Sequence, residues 1–402
     1  MSRNIITGID IGTVEVKAVS VVKSTQGPDF ELLAKTQRPS LGMRKGVVIN
    51  PTEVAAVISE CLKEIELQTN QKIEDVYVNI NGSHLSSSSS KGLVSVSRAD
   101  QKISSEDIER VVQAAKTFPM SKNKEIIDVF PQEYIIDGVR GIKDPLEMQG
   151  IRFEAEVLIV EGYSQYLKNT SQSILDTGLQ VNDLILGILS AGRAVLNSQE
   201  KERGVAVIDI GAHTTALAVF EEGDLLHLVI FPIGAGDITN DVAIGLKTDI
   251  ETAEKIKREF GSCLITKGEK KREKVISLKT KEEVFFSKLF LRKIINARVS
   301  EIFDLIKEDL KKISKNELLP AGLVLTGGGS LLSGISDLAK KEFNLPCRIG
   351  FPLNFIPPVD DPKFAVACGL VISGHENNNE ENEGFFKKMG EKVKRLLRLL
   401  MP

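Results

Sequence analysis

The chain has 402 residues, a formal net charge of −3 and 42% hydrophobic residues, enough for two to four compact subdomains with substantial cores. That balance gives no reason to place nucleic acid on the body, and no run approaches the roughly 18 apolar residues of a membrane-spanning helix. The four cysteines, Cys61, Cys263, Cys347 and Cys368, are scattered without metal-ligand spacing and read as reduced thiols of a cytosolic protein.

A strand pattern begins at once, with no signal-peptide pattern before it. Ile5 to Ile9 leads into Asp10-Ile11-Gly12-Thr13, and Val14 to Val22 leads out, which reads as a buried β-hairpin. A helix from about Thr52 to Leu67 and another strand follow. Residues 84–162 then interrupt this unit with a serine-rich loop over Ser86 to Ser90, a strand near Leu93 to Val96, a helix from Ser104 to Thr117 and further strands. Past Gly162 a helix, a strand and a helix complete the unit.

Near Gly204 the opening theme returns. Val205 to Ile208 enters Asp209-Ile210-Gly211-Ala212-His213-Thr214-Thr215, and Ala216 to Phe220 leaves it. Residues 237–316 form a second insertion, dominated by a helix from Val284 to Lys312, with a charged loop at Lys267 to Lys274. The strand Leu323 to Thr326, the nest Gly327-Gly328-Gly329-Ser330 and an amphipathic helix from Leu331 to Phe343 follow. Glycine lets turn amides approach an anion, and a helix start behind a glycine nest favours phosphate. An Asp at the end of each hairpin strand would set two carboxylates across a cleft, which suits magnesium held through water and phosphate.

The tail differs in kind. His375 to Glu383 has linker composition. Beyond it, at about 100° per residue, Phe385, Phe386, Met389, Val393, Leu396, Leu397 and Leu400 share one face. Lys387, Lys388, Lys392, Lys394, Arg395 and Arg398 fill the other against Glu391. This is the pattern of a helix lying on anionic lipid. At about 1 kcal/mol for each net charge, plus the apolar face, it predicts reversible attachment of a monomer that self-assembly would make firm.

The two hairpins and the triple-glycine loop resemble the phosphate and adenosine motifs of the actin, Hsp70 and sugar-kinase superfamily. Within it the chain resembles the FtsA family of bacterial division proteins. Val78 to His84, Pro131 to Gly138, Ala253 to Lys257 and Asp361 to Leu370 carry that resemblance over nearly the whole chain. It implies an α/β, actin-like bilobal ATPase fold of two related mixed-sheet half-domains. Residues 1–83 and 163–203, completed by 360–374, are then the first lobe core, and 84–162 its inserted small α+β subdomain. Residues 204–236 and 317–359 are the second lobe core and 237–316 its insertion. A linker, 375–383, leads to the amphipathic helix, 384–402.

The resemblance further implies ATP and Mg²⁺ between the lobes. Asp10 and Asp209 would hold magnesium through water, with Gly12, Thr13, Gly211, Thr214 and Thr215 around the β- and γ-phosphates and Lys17 reaching a phosphate. Glu254 and Lys257 would meet ribose and adenine, Gly236 would form a turn near the nucleoside, and Gly327, Gly328, Gly329 and Ser330 would pass beneath the base and α-phosphate. Ala212 and His213 stand where related motifs have glycine, so strain is expected at His213. No catalytic residue is identifiable, and weak or absent ATP turnover is expected.

The implied role is a peripheral protein on the cytoplasmic face of the bacterial inner membrane at the division septum. There it would polymerise, tether filaments of the tubulin-like FtsZ by that protein's C-terminal peptide near Arg298, and meet later division proteins through the inserted subdomain. The alternatives are a type IV pilus platform protein, which normally lacks such a basic tail, and a small-molecule kinase, for which no catalytic carboxylate is found.

Overall fold

A computed structural model describes residues 5–24, 27, 29–117, 119–264, 272–313 and 319–384, with side chains described as far as Glu376. The membrane-facing residues expected between Phe385 and Leu400 lie outside the described residues.

The first lobe begins with β1 (Ile6–Ile11), β2 (Glu15–Lys23), β3 (Phe30–Pro39) and a miniature hairpin, β4 (Met43–Arg44) and β5 (Val47–Val48). Helix α1 (Pro51–Thr69) starts where Asn50 caps it and Pro51 presets its first turn, and ends at left-handed Asn70. After β6 (Asp75–Ile80) the insertion supplies β7 (Ser86–Ser95), α2 (Ser105–Ala115), β8 (Lys124–Ile136), β9 (Val139–Ile142) and β10 (Arg152–Tyr163). The lobe resumes with α3 (Ser164–Leu175), β11 (Gln180–Leu186), α4 (Gly187–Val195) and α5 (Ser198–Arg203).

The second lobe repeats the plan with β12 (Val205–Ile210), β13 (Thr215–Glu221), β14 (Asp224–Phe231), α6 (Ala235–Leu246) and α7 (Ile250–Phe260). Then come β15 (Arg272–Ile276), β16 (Glu283–Ser287), α8 (Lys288–Lys312), β17 (Gly322–Thr326), α9 (Ile335–Phe343), β18 (Cys347–Ile349), β19 (Phe355–Ile356) and α10 (Ala365–Gly384). The lobe sheets have orders β11-β6-β1-β2-β3-β19 and β14-β13-β12-β17-β18, and the insertion forms its own sheet, β7-β10-β8-β9. In each lobe an antiparallel hairpin is followed by a parallel neighbour, β6 beside β1 and β17 beside β12. Such strands are covered on both faces, hence their nearly unbroken apolar runs.

Five local expectations are revised. Ser86 to Ser90 is strand, paired with Val157 to Glu161 of β10. Helix α2 lies close to the end of this run: a Cβ on Gly92 would sit 2.0 Å from the Val111 carbonyl, and the Ser90 hydroxyl donates to Ala115 O at 2.8 Å. The long helix begins at Lys288, since the β-favouring Val284, Phe285 and Phe286 pair with β15 instead. The helix after the glycine nest begins at Ile335, behind a 3₁₀ turn at Gly328–Leu331. The polar stretch 375–383 is helical, because α10 extends through it to Gly384 and propagation needs no new nucleus. Phe355–Ile356 pairs with β3 of the first sheet, not with the second lobe's strands.

Helix α4 lies between the lobes, its buried face shared with α10 and the second sheet, in one core that includes Ile188, Ala191, Val207, Ala218 and Leu370. The insertion also reaches the second lobe. Ser87 Oγ donates to Leu228 O at 2.7 Å and Gln132 Nε2 to Leu225 O at 2.7 Å, while Lys143 pairs with Asp224 at 2.7 Å.

The α4–α10 crossing is tight enough that a Cβ on Gly369 would fall 1.7 Å from Ser190 O. Gly369→Val is therefore expected to cost about 3 kcal/mol by overpacking, read as a lowered midpoint in urea unfolding. An unchanged midpoint would refute this close approach.

Candidate functional site: two carboxylates beneath paired glycine turns

The two hairpin turns close identically. Gly12 N donates to Glu15 O at 3.1 Å and Gly211 N to Thr214 O at 2.9 Å. Neither glycine has positive φ. They are needed for room, since a Cβ on Gly12 would lie 2.6 Å from Glu15 O. The N–H groups of Thr13, Val14, Ala212 and His213 meet no protein acceptor among the described residues, so each turn presents free donors. His213 is not left-handed, so the expected strain is absent. Its ring packs against Gly236, where an added Cβ would stand 2.8 Å from the ring Cε1.

Between the turns sits the tip of the β4–β5 hairpin, where Lys45 and Gly46 both have positive φ, as a tight two-residue turn requires. Gly46 N donates to Thr13 Oγ1 at 2.9 Å, and a Cβ there would meet Thr214 Cγ2 at 3.1 Å. Thr13 and Thr214 thus flank one point. Thr215 does not join them, because its hydroxyl is buried and donates to Ile233 O at 2.8 Å.

Asp10 and Asp209 end the first strand of each hairpin, and their environments differ. Asp10 accepts from Asn79 Nδ2 at 2.7 Å and pairs with Lys17 Nζ at 3.3 Å. Burial pushes its carboxyl above the usual range in spite of Lys17. Lys17 is itself buried; burial favours the neutral amine, but Asp10, Glu15 and Asp209 outweigh it and raise its pKa. Among the described residues nothing hydrogen-bonds the Asp209 side chain, and burial together with the Asp10 charge pushes it up to about 7.

The glycine nest closes on the same place. A Cβ on Gly327, which has φ of +79°, would lie 2.1 Å from Asp209 Oδ1, and one on Gly329 would strike Ile210. Gly328 lies over the Lys363 side chain, and Ser330 Oγ donates to Gly327 O at 2.7 Å. Gly236 is in the first turn of α6 rather than a separate turn. Its N–H and that of Ala235 are taken by the carbonyls of Ala212 and Gly211, which fastens the second turn to that helix. Lys257 is buried and donates to Ala235 O at 3.0 Å and Thr239 Oγ1 at 2.7 Å, and pairs with Glu254 at 2.6 Å. Burial lowers its pKa against the pull of Glu254. Glu254 and Lys257 are therefore joined to α6, not a free surface pair.

Arg298 is spent within the protein. Its guanidinium grips Asp241 at 2.6 and 2.9 Å and reaches Glu301 at 2.6 Å, ties that raise its pKa and bind α8 to α6. Its charge is therefore committed to α6 and to its own helix. Nearby apolar exposure lies instead at Ile244, Phe285 and Phe290, beside a groove lined by Leu246, Lys247, Val284 and Phe285. Asn79, central to the first turn, was outside the expected site. Its signal was its place in the Val78 to His84 segment, one strand away from Asp10.

No group of three or more His, Cys, Asp or Glu side chains placed to hold a metal ion occurs among the described residues. Two carboxylates, one without a partner, nevertheless fit a magnesium ion that takes most of its oxygens from water and phosphate.

The family model for cell division protein FtsA matches residues 206–369, and that for the SHS2 domain inserted in FtsA matches residues 82–161. The cell division protein FtsA of Borreliella burgdorferi is 36% identical over 400 residues, covering 98% of this chain and 96% of that one. A structure of the PilM–PilN type IV pilus biogenesis complex superposes with TM-score 0.68 at 20% identity, covering 92% of this chain and 98% of that one. MreB5 of Spiroplasma citri bound to ADP superposes with TM-score 0.57 at 14% identity, covering 94% and 98%. The likeness to these two structures is one of fold. With the repeated hairpins, the inserted subdomain and the full-length similarity together, the chain belongs to the FtsA family of cell division proteins and has the actin-like fold.

Proposed function

We propose that this chain binds Mg²⁺–ATP between its lobes, polymerises on the cytoplasmic face of the inner membrane and tethers FtsZ filaments there at the septum. The observation that carries the nucleotide reading is the convergence of two donor-bearing turns and a glycine nest on Asp10 and Asp209. The free amides of Thr13, Val14, Ala212 and His213 would hold phosphate oxygens, with the Thr13 and Thr214 hydroxyls beside them. Asp10 and Asp209 would orient water on magnesium, which supplies positive charge against the phosphates. Gly327 to Ser330 would bed the nucleoside, with Glu254 and Lys257 toward the ribose. No side chain here is placed to activate water, so turnover would be weak or absent and nucleotide would act on assembly.

The FtsZ peptide would dock on the second lobe's insertion. Ile244, Phe285 and Phe290 offer it apolar anchorage, and Arg298 would act through the α6–α8 tie. No helix among the described residues is long and apolar enough to cross a membrane. Attachment would therefore rest on the basic amphipathic segment 384–402, and later division proteins would meet the inserted subdomain.

The test is co-sedimentation of labelled FtsZ tail peptide with anionic liposomes and ATP, comparing the full chain with one ending at Glu383. Recruitment by the full chain alone is expected. Liposome binding without peptide would defeat the FtsZ assignment, and failure of the folded full chain to bind liposomes would defeat the tether.

A further inference from the structure

Register makes Asn79 the counterpart of Thr326. Each lies on the strand parallel to its hairpin, Thr326 opposite Asp209 and Asn79 opposite Asp10 when the Gly8–Tyr77 and Ile9–Val78 pairing is continued. The two then diverge. Thr326 turns its hydroxyl to Gly350 O and Pro362 O, at 3.1 and 3.2 Å. Asn79, 2% exposed, donates from Nδ2 to Asp10 Oδ1 at 2.7 Å and accepts from Ile11 N at 2.7 Å.

We propose that Asn79 is a positioning residue that sets the Asp10 carboxylate for a hydrated divalent cation, an inference that rests on the nucleotide reading above. One amide ties the carboxylate to the backbone at the mouth of the turn, so the two cannot move separately. With Asn79 on one oxygen and Lys17 on the other, the Asp10 carboxylate is held in one orientation. An amide is suited to this because it offers a donor and an acceptor on one carbon without charge. The second hairpin has no such brace, which leaves Asp209 free to adapt to the ion. Asp10 is thus the fixed member of the pair.

The experiment measures binding of a fluorescent ATP analogue to the full chain at pH 8 as free Mg²⁺ is varied. Asn79→Ala removes both bonds, and Asn79→Leu removes them at nearly constant volume. Both are expected to raise the half-saturating Mg²⁺ concentration about 10-fold or more, the usual effect of removing a brace behind a metal ligand. Nucleotide affinity at saturating Mg²⁺ should return to that of the wild type. Unchanged Mg²⁺ dependence in either folded variant would overturn the inference. So would affinity lost equally at all Mg²⁺ concentrations, the mark of a structural role. Wild-type protein that binds no analogue would instead remove the nucleotide reading, and wild-type binding that ignores Mg²⁺ would remove the magnesium; either takes this inference with it.

Discussion

Replacing Asp209 with Asn is expected to stabilise the nucleotide-free chain at pH 7.5 while abolishing its response to Mg²⁺–ATP. The side chain is held without a hydrogen-bond partner near a second carboxylate, and its pKa rises from 3.8 to about 7. A carboxyl whose folded pKa is raised binds more protons folded than unfolded between those values. Its penalty is therefore absent below about pH 4, grows as pH rises, and is complete above about 7. At about 1.4 kcal/mol for each pKa unit, the penalty at pH 7.5 is a few kcal/mol. Thermal unfolding of the nucleotide-free wild type should accordingly weaken between pH 5 and 7.5 relative to Asp209→Asn, with the two converging near pH 4. With ligand at about 100 times its Kd, the wild type should regain roughly 2.7 kcal/mol and the variant none. A variant less stable than wild type at pH 7.5, or one still stabilised by Mg²⁺–ATP, would contradict this account.

Lys17→Met should do the opposite to the empty protein. Lys17 is the buried cation facing Asp10, and Asp209 also raises its pKa. Deleting one partner of a buried pair leaves an uncompensated charge, typically a loss of about 3–5 kcal/mol. The measured quantity is the unfolding free energy at pH 7.5. Adding Asp10→Asn to Lys17→Met should restore much of the loss, because the stranded charge is gone, giving a strongly non-additive cycle. Additive effects would mean that the lysine does not compensate Asp10.

The paired hairpins and the glycine nest were legible because their information is local: unbroken apolar runs, an Asp at the strand end, glycines where a Cβ would collide. What escaped was decided at long range. Ser86 to Ser90 looks like a loop by composition, yet β10 imposes its pairing, and α2 and β14 supply acceptors to the Ser90 and Ser87 hydroxyls. Arg298 looks like an open cation until α6 brings Asp241 to it. Asn79 was visible within a family-like segment, but its role requires the strand pairing that places it beside Asp10. Strain at His213 was inferred from a residue type, whereas the turn achieves its shape with ordinary φ.

The insertion belongs to the first lobe by sequence but also grips β14 of the second through Ser87, Gln132 and Lys143. The lobes are therefore joined there as well as at α4, and again where Thr326 Oγ1 and Gly327 N donate to Pro362 O. While these bonds hold, one lobe cannot slide or twist freely over the other. Any opening of the cleft would then pull on the insertion's bonds to β14, so a subdomain added to one lobe would feel the movement of the other.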